Sequence, residues 1–122
     1  MTKILLISGD LMAASQIAGL ARAANADVET RSTLPADSGE LAADLVLLDM
    51  QSLKDPPDLI VSRTRQLVAP PPGAHPPRIV AFGPHVWKER LAAAVAAGAD
   101  AAVSRGELFG GFPALVQRWT GG

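Results

Sequence analysis

The chain has 122 residues, 48% of them apolar and 19% charged, with a formal net charge of −1. That is one domain's worth, residues 1–122, able to bury roughly two-thirds of its unfolded surface, and it excludes a disordered chain or a nucleic-acid binder driven by net charge. No cysteine is present, which excludes disulfide scaffolds, thiolate catalysis and Cys-ligated zinc, and the two histidines, His75 and His85, do not sit at a metal-ligand spacing.

Residues 3–7 (Lys-Ile-Leu-Leu-Ile) form a short continuous apolar run that predicts a strand. It is too short and too early for a signal peptide. No apolar run approaches the ~20 residues of a membrane span, so the expectation is a cytoplasmic domain without membrane contact. Residues 11–24 place Leu11, Ala14, Ile17, Ala18, Ala21 and Ala24 at helical spacing, with Asp10 as N-cap. A weaker strand is predicted at 27–31, and a short helix at 34–43 with Pro35 and Gly39 near its start. Residues 45–48 (Leu-Val-Leu-Leu) predict a strand. Residues 57–69 predict a helix ended by Pro70, Pro71 and Pro72.

Five of the ten prolines fall between Pro70 and Pro77, which reads as a stiff extended connector. Residues 79–82 (Ile-Val-Ala-Phe) predict a strand and the Ala-rich stretch 85–97 a helix stopped by Gly98. A second weak strand is predicted at 101–104. A last helix covers 113–119, with Pro113 in its first turn and the run from Phe109 to Phe112 packing it onto the sheet.

Strands alternating with helices, three of the strands being continuous apolar runs, predict a parallel sheet covered on both faces. The expected fold class is α/β: a three-layer (βα)5 sandwich, flavodoxin-like, with a five-stranded sheet of order 2-1-3-4-5. Ligands of such folds bind beyond the carboxyl ends of the strands. There the sequence places Ser8, Gly9 and Asp10, then Asp49, then Gly83 and Pro84, then Ser104, Arg105 and Gly106.

Charge is unevenly divided. Residues 1–62 carry four bases against nine acids, a net of −5, and residues 63–122 seven bases against three acids, a net of +4. All five aromatics (Phe82, Trp87, Phe109, Phe112, Trp119) lie in the second half, which is therefore the expected source of any partner surface.

Two stretches, Asp44-Leu45-Val46-Leu47-Leu48-Asp49 and Ala96-Ala97-Gly98-Ala99-Asp100-Ala101, carry a resemblance to the CheY-like receiver domains of two-component response regulators. The first resembles that family's third strand, ending in the phosphoacceptor aspartate, and the second its turn before the fifth strand. The resemblance covers nearly the whole chain. It implies a chemistry in which two acids after the first strand, with the aspartate, hold Mg²⁺. A Thr or Ser after the fourth strand and a Lys after the fifth then bind phosphoryl oxygens.

Against that pattern Asp49 keeps the phosphoacceptor position. Ser8 and Gly9 replace the acid pair, Phe82 the hydroxyl, Arg105 the lysine, and Gly106 the proline that usually follows. The resemblance thus implies a degenerate variant, a pseudo-receiver. Without the acids Mg²⁺ binds weakly, and a carboxylate attacking a phosphoryl anion meets uncompensated repulsion. Two readings of Asp49 stand side by side: a bidentate pair with Arg105 that closes the pocket, or a relic acid at a strand end. Asp10 either caps the first helix or lends a carboxylate to a metal. Phosphate cradling by Ser8-Gly9 lacks the glycine patterns of nucleotide loops. His85 reads as a surface or capping residue.

The resemblance further implies an output and dimerisation face on the fourth helix, fifth strand and fifth helix. Here that face carries Trp87, Lys88, Arg90, Arg105, Arg118 and Trp119, and aromatics with arginines dominate interface energetics. Trp87 starts a stripe with Leu91 and Val95, or else Val86 starts one with Ala93 and Ala97 and turns Trp87 outward.

The expected function is a phosphorylation-independent protein-interaction module in signalling, not an enzyme. It needs no cofactor, and its partner is a protein: a histidine kinase, an output protein or a second copy of the chain. The alternatives are a phosphoacceptor receiver, phosphorylated on Asp49 by a histidine kinase with Mg²⁺ at Asp10 and Asp49, and a flavodoxin-like small-ligand module.

Overall fold

The computed structural model describes residues 2–34, 41–69 and 76–121. Its strands and helices follow in the order β1 (Thr2–Ile7), α1 (Leu11–Ala23), β2 (Ala26–Arg31), β3 (Leu41–Ala42), β4 (Leu45–Asp49), α2 (Pro57–Leu67), β5 (Val68–Ala69), β6 (Arg78–Gly83), α3 (Lys88–Ala96), β7 (Ala101–Ser104), α4 (Arg105–Gly110) and α5 (Phe112–Thr120). The main sheet has the order β2-β1-β4-β6-β7 and every pairing is parallel. Counting its strands alone, this is the 2-1-3-4-5 arrangement expected of the fold class. Three main-sheet strands, β1, β4 and β6, lie where the apolar runs predict them, and β2 and β7 lie at the two weaker strand predictions.

Side chains alternate across a strand, and the alternation sorts the core into two layers. Leu5, Ile7, Val46, Leu48, Ile79 and Ala81 face α2 and α3, packing with Ile60, Val61, Leu91 and Ala94. Ile4, Leu6, Leu45, Leu47, Val80 and Phe82 face α1, α4 and α5, packing with Ile17, Ala21, Leu108, Phe112 and Val116. β4 is central and buried at every position, as a strand covered on both faces must be. The edge strand β2 carries Asp27, Glu29 and Arg31, and charges on an edge discourage pairing with another chain.

Four helical expectations need correction. In α1 the buried stripe is Ala13, Ile17 and Ala21, with Ala14, Leu20 and Ala24 packed beside it. Leu11 is 85% exposed, because capping by Asp10 fixes the helix's rotation. Of the helix expected at 34–43, residues 35–40 lie outside the described residues. Leu41–Ala42 is a two-residue strand paired with Val68–Ala69, the pair that also ends α2 before residue 69.

The helix expected from 85 starts at Lys88, since the Trp87 amide closes a turn onto the Pro84 carbonyl at 2.9 Å. Its buried residues are Leu91 and Ala94. Val95 is 46% and Val86 69% exposed, so neither predicted stripe is right. The last helix is joined by an unpredicted one, α4, directly after β7. Phe112 at its junction with α5 is fully buried under the sheet. Gly98 ends the turn after α3 at φ +116°, which glycine adopts without strain. Pro70 to Pro72 and His75 lie outside the described residues.

At the amino end of the sheet, Asp100 accepts hydrogen bonds from the Ile79 amide at 2.8 Å and from Arg65 at 3.0 Å. Arg65 also donates to the carbonyls of Pro77 and Gly98. This stitch ties α2 to β6 and to the turn before β7.

Candidate functional site

The parity that buries Leu6, Leu47 and Val80 on the α1 side also sends the next residues of the same rows, Ser8, Asp49 and Phe82, to that side at the carboxyl edge. Asp49 is 0% exposed. Burial of a carboxylate requires hydrogen bonds and a counter-charge, and Asp49 has both. Its Oδ1 accepts from the amides of Gln51 at 3.1 Å and Ser52 at 3.4 Å. Its Oδ2 accepts from Ser8 Oγ at 2.7 Å and from Arg105 Nη2 at 3.3 Å. Ser8 Oγ in turn accepts from the Asp10 amide at 3.1 Å.

Asp10 caps α1 through Oδ1, which accepts from the amides of Met12 and Ala13 at 3.0 and 3.2 Å. Its Oδ2 accepts from the same Arg105 Nη2 at 3.1 Å. The Ala13 amide first, and then the Arg105 side chain, hold the Asp10 carboxyl below its ordinary value.

Arg105 reaches this place because it is the first residue of α4. Ser104 caps that helix: its hydroxyl accepts from the Glu107 amide, and the Glu107 carboxylate accepts from the Ser104 amide. The Ser104 backbone amide, and then its hydroxyl, keep the Glu107 carboxyl below its ordinary value. The bidentate geometry expected for Arg105 and Asp49 is absent. One nitrogen serves both Asp10 and Asp49, and among the described residues the buried Nε–H has no partner. Sequence reading missed two parts of this arrangement. The capping signature Ser104-x-x-Glu107 was in plain view. The Asp10 contact had no local signal, since it spans 95 positions.

Phe82 lies opposite Asp49 in the sheet register and is fully buried in the layer with Phe112. Its ring offers no hydrogen bond to an oxyanion. Gly9 donates its amide to Ser52 Oγ at 2.6 Å, and a Cβ on Gly9 would stand 3.2 Å from that oxygen. A hard divalent cation asks for several oxygen ligands in near-octahedral order. Here the carboxylate oxygens that face each other share a guanidinium nitrogen. Among the described residues no three His, Cys, Asp or Glu side chains gather as a metal site. The residues present therefore do not fit Mg²⁺.

The expected outer face is dispersed. Lys88 and Arg118 are exposed. Trp87 is half-buried and lines a cleft of about 210 Å³ with Met50, Gln51, Leu53, Lys54 and Arg90. Trp119 packs against the α1-side core layer. Arg90 turns inward: it donates to the carbonyls of Met50 at 3.0 Å and Asp55 at 2.8 Å, and to that of Leu53. Arg90 is thus a loop clamp, drawn in because those carbonyls have no helix or strand partner. His85 is exposed.

No family model and no curated protein matches the chain. Solved structures do resemble it. A two-component response regulator from Clostridium difficile aligns at TM-score 0.73 and 17% identity, over 98% of this chain and 95% of that one. A response regulator receiver protein from Burkholderia phymatum aligns at 0.71 and 17%, again over 98% and 95%. The receiver domain of a sensor histidine kinase from Pseudomonas aeruginosa, with a magnesium ion coordinated in its active-site cleft, aligns at 0.69 and 15%, over 99% and 98%. The chain has the CheY-like receiver fold. Among its described residues no helix is long and apolar enough to cross a membrane.

Proposed function

We propose that this chain is a degenerate receiver, a signalling module that works through protein contacts and not through phosphorylation of Asp49. The observation that carries this reading is the position of Arg105 Nη2, 3.1 Å from Asp10 and 3.3 Å from Asp49. The carboxylate that would attack a phosphoryl group is buried, hydrogen-bonded on both oxygens and ion-paired, so its lone pairs are engaged. Phe82 supports the same reading, because a phosphoryl oxygen would find a ring where a hydroxyl is needed. On this reading the module is not an enzyme and needs no cofactor. It acts in the cytoplasm, and its partner is a histidine kinase, an output protein or a second copy of the chain. Lys88 and Arg118, with the half-buried Trp87, are the residues offered to that partner.

The test is amide NMR during addition of Mg²⁺ and then beryllofluoride, a phosphoryl mimic. The spectrum stays unchanged if the reading holds. Shifts gathered around Asp49 and residues 84–87 would overturn it in favour of a working phosphoacceptor.

A further inference from the structure

The carboxylates of Asp10 and Asp49 are held in place by neutral donors. Two amides and the Ser8 hydroxyl orient Asp49, and two helix-start amides orient Asp10. Each is left with Oδ2 directed at one common nitrogen. An arginine placed for hydrogen-bond recognition uses its planar fork, two parallel bonds to one carboxylate. Arg105 does otherwise. It sets a single nitrogen between two oxygens from different loops and leaves a buried Nε–H without an acceptor among the described residues. That is how a point charge sits between two anions. The charge is permanent, since a guanidinium does not deprotonate in proteins.

We infer that Arg105 is a tethered cation: it balances Asp10 and Asp49 in the way a dissolved divalent ion would, and by its presence keeps such an ion out. With the guanidinium in place the three groups carry a net −1, and an entering divalent ion meets a like charge at contact distance. Without it, two oriented carboxylates face one another with nothing between them. That arrangement attracts a hard cation, with the Ser8 hydroxyl and water to complete its shell. The inference deepens the proposed reading of this site and rests on its account of Arg105.

Mn²⁺ is the probe, because it broadens nearby amide signals. In the wild-type protein the amides of residues 8–10 and 49–52 keep their intensity at millimolar Mn²⁺. In Arg105→Gln those same amides broaden, at an affinity at least about tenfold above wild type. Mg²⁺ competes, and adding Asp49→Asn abolishes the effect. Equal broadening in both proteins overturns the inference, as does a well-dispersed Arg105→Gln spectrum that ignores Mn²⁺. If the variant is unfolded without metal, Mn²⁺ refolds it, and failure to refold counts against the inference.

The wild type gives a second readout, since a ligand of the native state raises the melting temperature. Millimolar Mg²⁺ leaves that temperature in place, and a rise overturns the inference. If Arg105→Gln takes no Mn²⁺ while the wild type stays silent toward beryllofluoride, the tethered-cation inference fails and the functional reading survives.

Discussion

Arg90 Nε donates to the Met50 carbonyl at 3.0 Å, so a helix on one face of the sheet holds the residue that follows the buried aspartate. The same guanidinium reaches the carbonyls of Leu53 and Asp55. The loop from β4 to α2 is thereby pinned on its α3 side, while Ser52 pins it to Gly9 on the other.

Arg90→Met is expected to lower stability by about 2 kcal/mol, less than three charged hydrogen bonds in isolation, because water replaces some of them at the exposed carbonyls. The denaturation midpoint falls with an unchanged slope. Amide exchange at residues 51–55 accelerates more than in the core strands. A uniform acceleration would show that Arg90 has no specific hold on the loop.

Asp49→Ala leaves the Ser8 hydroxyl and two amides without their acceptor and strips Arg105 of one of its two carboxylate partners, and is expected to cost about 3 kcal/mol. Asp49→Asn keeps the shape and one acceptor oxygen and is expected to cost roughly half that. Chemical denaturation of the two variants checks the ordering, which a solvated relic acid would not produce.

Asp10 gives a pH prediction with a definite sign. Its folded carboxyl titrates below the ordinary 3.8, through the Ala13 amide first and Arg105 after it. Its contribution to stability is therefore complete above the unfolded value and is lost as pH falls through the lower folded value. Asp10→Asn removes that dependence, so its stability falls less steeply below about pH 4 than that of the wild type. Thermal melts across that range measure the difference.

Phe82→Thr restores a hydroxyl opposite Asp49 but deletes a ring from a closed core layer. The expected loss is about 3 kcal/mol or more, with the cavity as its main cause. The variant still fails to respond to beryllofluoride, because Arg105 remains. A response in this single variant would place the block at Phe82 instead.

Much of the fold was legible because its signals are local. Continuous apolar runs marked strands covered on both faces, Asp10 marked the start of α1, and Gly98 a turn at positive φ. The failures came where distant packing decides. The rotation of α1 that exposes Leu11 follows from its cap and its fit under the sheet. The inward turn of Arg90 follows from carbonyls 35 to 40 positions away. α4 was missed for another reason: six residues containing Gly106 and Gly110 make no apolar stripe, and only the capping pair announces it. At the site, the residue types were readable from their order after each strand. The sharing of one nitrogen by two acids was not, since it depends on where β1, β4 and α4 end in space.

An ion drawn from solution comes and goes with its supply, and a chelator removes it. A charge joined to the chain through Arg105 has an effective concentration set by the fold alone. The electrostatic state of this edge is then indifferent to chelators and to changes in ion content. The position of that charge is then set by the first turn of α4, so it moves only when that turn moves.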